Sequence, residues 1–275
     1  MKCQKCGAKI VLAKSKYCNE CGSKIEPLKP TDPKRESFLG VGKIKVGLGT
    51  EIKINPSDND VTTVIVEGPE EIKQDLTMRL RNGVLDIRAP SNSINISVDN
   101  ISGGNINIAG GLFVGGSITG SNIYGNSIST GDDSSVSVII TTPRGVDVSI
   151  DVAGDLNCEI GDLQSDITVD TDGDLIFNAK RLTGFDAVVS GSLKASIDNF
   201  ENGQCDLEVS GSCKLTIPSG NIEELVADVS GSASLQINAE TNKAILDVSG
   251  DLRGNLRAHT VSRDVSGSDS LSVIR

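Results

Sequence analysis

Tryptophan is absent, and aromatic residues make up 3% of the 275, with two tyrosines and five phenylalanines. Any core must therefore be aliphatic. A groove that processes polysaccharides usually offers aromatic platforms and a cluster of acids with a base, so the shortage argues against that class of enzyme. The single histidine, His259, falls in a polar stretch off the aliphatic pattern and reads as a solvated turn residue. No apolar run approaches the ~18 residues of a membrane-spanning helix. The opening Met1-Lys2-Cys3 begins no signal-peptide stretch. These absences lead to the expectation of a non-enzyme that is cytoplasmic and has no direct membrane span; the alternative is membrane or envelope association through a partner.

Glycine, in contrast, is plentiful and regular. Gly154, Gly173, Gly191, Gly211, Gly231, Gly250 and Gly267 are separated by 19, 18, 20, 20, 19 and 17 residues. A period of about 20 belongs to a chain that winds in stacked repeats. Four positions after each glycine stand Cys158, Phe177, Ala195, Leu215, Leu235, Gly254 and Leu271. Six positions before stand Val148, Ile167, Phe185, Cys205, Leu225, Ala244 and Val261. The other even offsets are almost as apolar, and the odd offsets are mostly polar. Alternation of period two sends one set of side chains inward and the other to solvent. The glycine sits on an inward phase, which suits a corner that leaves no room for a Cβ. A β-sandwich also alternates, but it does not need the same inward columns at one fixed period. The expected fold class is all-β, a parallel β-helix over residues 38–275. If all those residues wind at about 20 per coil, there are about 12 coils in a rod about 55–60 Å long.

Charge divides along the chain. Residues 1–37 carry nine Lys or Arg and four Asp or Glu, a balance of +5; the whole chain is −11, so the remainder carries −16. An acidic body repels nucleic-acid phosphates, so no nucleic-acid partner is expected. A protein partner or self-association fits better.

Cys3 and Cys6 form one Cys-x-x-Cys and Cys18 and Cys21 a second, each followed by glycine, Gly7 and Gly22. Four thiolates in two close pairs match a closed tetrahedral Zn²⁺ site at about 2.3 Å per sulfur, structural because no position is left open. About 25 residues cannot sustain a core, so the metal would supply the folding energy. Disulfides or a redox pair are the rival readings. Residues 1–25 resemble the short zinc-ribbon domains, with Tyr17-Cys18 and Cys21-Gly22 typical of them. That resemblance implies zinc and often a protein-contact role. Residues 26–37, with Pro27, Pro30 and Pro33 among charges, read as a semi-rigid linker.

Residues 41–54 alternate, and turns are expected at Gly68-Pro69 and Asn82-Gly83, so this stretch reads as the first β-layer and amino-terminal cap of the rod. Residues 101–131, rich in Gly, Asn, Ser and Ile, read as narrow coils, the alternative being an insertion. The stretch Thr142-Pro143-Arg144-Gly145-Val146, the Ser-Gly-Ser corners and the Asn-Ile pairs resemble the adhesin-like, head-GIN type β-helical repeat family over roughly residues 40–275. The resemblance implies a right-handed parallel β-helix with a surface or scaffold role and carries over no catalytic residue.

Three further groups invite a chemical reading. Cys158, Cys205 and Cys213 fall in inward columns and read as small core residues that stay reduced. Asp155, Asp172 and Asp174 flank the corners; they form a hydrated ladder or, if their repulsion is relieved, a Ca²⁺ site. Arg263 and Asp269 break inward columns in the last coil, as edge protection or as a docking end.

Overall fold

The computed structural model describes residues 32–89, 106–108, 111–113 and 136–275. Cys3, Cys6, Cys18 and Cys21 lie outside them, as do residues 26–31 of the expected linker and most of 101–131. Pro33–Arg275 forms one unit.

Most of the described strands alternate buried and outward residues. In chain order the strands are β1 (Lys34–Leu39), β2 (Lys43–Gly47), β3 (Glu51–Ser57), β4 (Val61–Glu67), β5 (Thr77–Arg81), β6 (Val84–Arg88), β7 (Ile106–Ile108), β8 (Gly111–Phe113), β9 (Ser137–Pro143), β10 (Asp147–Val152) and β11 (Leu156–Asp162). They continue with β12 (Asp166–Thr171), β13 (Leu175–Leu182), β14 (Gly184–Val189), β15 (Leu193–Val209), β16 (Cys213–Ile217), β17 (Gly220–Val229), β18 (Ala233–Val248), β19 (Leu252–Val265) and β20 (Asp269–Ile274). The one described helix, α1 (Glu70–Asp75), is short and follows Pro69. β1 starts inside the stretch read as linker.

Each coil crosses two faces joined at a glycine corner. The first face stacks β2, β10, β12, β14, the end of β15, β17 and the ends of β18 and β19, all parallel. The second stacks β3, β11, β13, the start of β15, β16, the starts of β18 and β19, and β20, again parallel. The register is one repeat: Cys158 pairs with Phe177, Phe177 with Ala195, and on through Leu215, Leu235 and Gly254 to Leu271. The columns read from the sequence are the buried files, with Phe177, Leu215 and Leu235 at 0% exposure. Bulk alternates along a file: Phe177 sits between Cys158 and Ala195, and its ring stacks on Phe185 from the facing sheet at 4.3 Å.

From Gly173 onward the corner glycines are needed for close stacking rather than for unusual dihedrals, whereas Gly154, at φ +95° with nothing within 4 Å of its Cβ position, serves its dihedral. A Cβ on Gly231 would stand 2.3 Å from the carbonyl oxygen of Gly211, one coil away, and neither residue has positive φ.

The solenoid has about seven turns, not 12. The described residues between 58 and 145 do not wind at the repeat. β4 runs back antiparallel to β9, β1 pairs antiparallel on its far side, and β9 inserts between β4 and β3. On the first face, the β5–β6 hairpin turns at Asn82-Gly83, both at positive φ, and β6 pairs with β2. These strands cap the amino-terminal end, as expected. The described pieces of residues 101–131, β7 and β8, pair antiparallel with each other rather than stacking as parallel coils. Seven coil-to-coil steps at 4.7–4.9 Å make the parallel stack about 34 Å long.

Candidate functional site

The corner edge is the most regular feature of the surface. One position after each glycine stands Asp155, Asp174, Ser192, Ser212, Ser232, Asp251 or Ser268. Five of the seven offer a side-chain oxygen to the next coil's backbone. Asp155 Oδ1 accepts from Asp174 N at 2.9 Å, Asp174 Oδ1 from Ser192 N at 2.7 Å, and Asp251 Oδ1 from Ser268 N at 2.9 Å. Ser192 and Ser232 serve Ser212 and Asp251 in the same way. These oxygens satisfy donors that the strand ladders miss at the bend. The ladder is thus hydrogen-bonded rather than merely hydrated, and among the described residues no cluster of His, Cys, Asp and Glu could hold a metal ion.

Cys158, Cys205 and Cys213 are free and buried. Burial pushes the Cys158 thiol far above its ordinary range, and the Cys205 thiol likewise, with Cys213, Asp206 and Asp186 adding to the shift. Burial pushes Cys213 up to about 12. Thiols held this protonated are core filler, not nucleophiles. His259 lies exposed within β19 rather than in a turn, its Nε2 3.2 Å from Glu240 Oε1. Arg263 and Asp269 meet across the last described coil: Nε lies 3.0 Å from Oδ2, and Nη1 also donates to the Leu271 carbonyl at 3.3 Å. The pair covers Leu271, as edge protection would.

The outward files carry most of the free charge. On the first face, three positions before each glycine, run Asp151, Asp170, Val188, Glu208, Asp228, Asp247 and Asp264, rung by rung. Asp186 and Asp206 pair in the neighbouring file. Burial, then Asp206 and Asp170, raise the Asp186 carboxyl above the usual range. At the amino-terminal end of the same face the sign reverses. A shallow pocket of about 230 Å³ is lined by Lys45, Arg79, Arg81, Val84, Asp86 and Arg88. Arg88 Nε binds Asp86 Oδ1 at 2.7 Å, and the other three cations take part in none of the ion pairs among the described residues. The second face carries Lys194, Lys214 and, past Ser234, Arg253 in one outward file. These files stand at odd offsets from the glycines; tabulating those offsets by charge, not only by polarity, would have found them.

No protein-family model matches the sequence, and neither does any curated protein. Among solved structures, a "putative adhesin" from Parabacteroides distasonis is 14% identical, with 88% of this chain and 96% of that one covered and a TM-score of 0.44. One from Bacteroides fragilis is 12% identical, covering 89% and 98%, with a TM-score of 0.41. A "putative cell adhesion protein" from Clostridium sporogenes is 11% identical, covering 88% and 100%, with a TM-score of 0.26. Likeness at this level assigns no function, and the fold described above stands on its own strand pairing.

Proposed function

We propose that this chain is a non-enzymatic, adhesin-like recognition module: a stiff rod that meets a macromolecular partner through its flat faces. The carrying observation is the arrangement of exposed charge in files whose members stand one strand apart, acidic along most of the first face, with Lys194, Lys214 and Arg253 sharing one file of the second. Such files suit contact with an extended or repetitive surface better than chemistry on one small molecule. The aliphatic interior serves to hold them flat. Incubating the full chain with a panel of polysaccharides tests the non-enzymatic part; steady release of reducing ends would refute it.

Cys3, Cys6, Cys18 and Cys21 are proposed to hold one structural Zn²⁺ that folds a small contact domain ahead of the rod. Metal analysis of the purified chain is expected to find one zinc per chain, lost when the four are changed to serine. A metal-free, folded chain would remove the proposal. Among the described residues no helix is long and apolar enough to cross a membrane. Envelope association through a partner is the location that suits an adhesin-like role, and fractionation of the producing cells decides between it and the cytoplasm.

A further inference from the structure

The first face is bipolar along the rod. Its strands lie in the spatial order β5, β6, β2, β10, β12, β14, end of β15, β17, end of β18, end of β19. Lys43, Lys45, Arg79, Arg81 and Arg88 occupy one end, with Asp86 the one acid among their outward neighbours on these strands. From Asp151 onward the outward charges are almost all carboxylates. This is an uncommon place for cations in a chain of net charge −11.

We infer that the first face recognises a second copy of this chain, the two rods lying antiparallel and face to face about a two-fold axis between β10 and β12. This inference goes beyond the proposed function and does not rest on it. The reasoning is one of complementarity and spacing. Both charge sets are built on the same strand separation, so a rung of one copy meets a rung of the other without adjustment. A two-fold axis parallel to the strands keeps each residue in its own file and reverses the rod. It sets β2 against β14, β6 against the end of β15, and β5 against β17.

In that register Lys45 faces Asp186, Arg88 faces Glu208, and Arg81 faces Glu224, which Lys243 already holds at 2.6 Å. Arg79 comes down beside Asp228. Val188, 39% exposed on β14, faces Gly47, which has no side chain to obstruct it. Three rows bring like charges together, Asp147 against Asp166, Asp151 against Asp170 and Asp86 against Asp206, the last muted by Arg88. With the rods parallel, by contrast, cations would meet cations and carboxylates would meet carboxylates. The two-fold arrangement closes as a dimer and leaves no free copy of the surface. Eight strands of about six residues give a footprint of about 38 by 20 Å, on the order of 750 Å² per copy. That is the size of a standard stable interface, about 800 Å² per partner. Crowding of Asp186 by Asp170 and Asp206 fits a face that awaits cations from outside.

Sedimentation of the full chain tests the inference, and charge reversal makes the test specific. The wild type is expected to be a dimer at tens of micromolar. Lys45→Glu/Arg79→Glu/Arg81→Glu, and separately Asp186→Lys/Glu208→Lys/Asp228→Lys, are expected to be monomers, because each sets like charges face to face in the rows that held opposite ones. Mixed one to one, they are expected to recover the dimer. Both variants stay net negative, −11 − 6 = −17 and −11 + 6 = −5, so overall charge does not draw them together. All six positions are exposed, and an unchanged circular-dichroism melt confirms folding. If one triple reversal fails to fold, Lys45→Ala/Arg79→Ala/Arg81→Ala takes its place and is expected to weaken the dimer at least tenfold. A monomeric wild type overturns the inference, whatever covers the acidic files, including the basic amino-terminal segment of the same chain. So do reversal variants that still dimerise alone, or a mixture that does not combine.

Discussion

Replacing Gly231 with alanine adds a single methyl at the point where two coils come closest. The new Cβ would lie 2.3 Å from Gly211 O and 2.7 Å from Gly211 C. The obstacle is backbone, so relief requires the coils to part by about 1 Å at the corner, since ordinary contact begins near 3.4 Å. Two bonds span that gap nearby, Ser230 N to Val209 O and Cys213 N to Ser232 O, each 2.9 Å. Weakening both costs about 1–3 kcal/mol at about 0.5–1.5 kcal/mol each. Overpacking strain is of the same order. Reduced freedom of the unfolded chain returns about 0.4–1 kcal/mol. The net expectation is a loss of about 2–3 kcal/mol, or about 5–10 °C in melting temperature for a unit of this size. Gly145 is the control: φ is +76° and nothing lies within 4 Å of its Cβ position. Gly145→Ala should cost about 1 kcal/mol, through the dihedral alone. Thermal melts followed by circular dichroism compare the two. If Gly231→Ala melts with the wild type, or loses no more than Gly145→Ala, the close-stacking explanation of the corners is wrong.

Phe177→Ala should lose about 3–5 kcal/mol, since it empties a fully buried position and removes the stack on Phe185; urea denaturation measures it, and a loss below ~1 kcal/mol would mean the interior is loosely filled. The buried thiols make stability fall on the alkaline side. Their folded pKa values lie above the unfolded value, so the stabilisation is complete below about pH 9 and is lost as pH rises toward 12, by about 1.4 kcal/mol per unit for each thiol. Cys213→Ser should flatten that slope in urea melts between pH 9 and 10.5, and an unchanged slope contradicts the assignment. Arg263→Leu with Asp269→Leu removes the clasp over the last coil and should promote end-to-end association seen by sedimentation; an unchanged profile argues that the pair protects nothing.

The inward files were legible because a solenoid repeats its burial pattern at one period. The coil of β2 and β3 was not. Its corner at Gly49 is shorter: six positions separate Val46 from Ile52, where eight separate Ile150 from Cys158, so it falls out of an alignment on the later glycines. The antiparallel strands β4 and β9 were hidden for a different reason. Alternation is the same whichever direction the neighbour runs, and the pairing of Val64 with Ile140 depends on a partner 76 residues away. The corner carboxylates were noticed, but sequence alone could not show that Asp155 and Asp174 accept backbone N–H groups from the next coil. The bipolar charge of the first face needed the cap, because Arg79 and Arg81 join that face only through the β5–β6 hairpin.

Paired spin labels on the second face test the stacking most directly. Asn157, Ile176, Lys194, Lys214, Ser234, Arg253 and Ser270 form one outward file. Labels carried on ketone side chains leave the native cysteines untouched. Measured from Ser270, the separations to Ser234, Lys194 and Asn157 should rise in equal steps, about 10, 19 and 29 Å for two, four and six coils. A series that does not lengthen with each added coil would contradict the parallel, in-register solenoid.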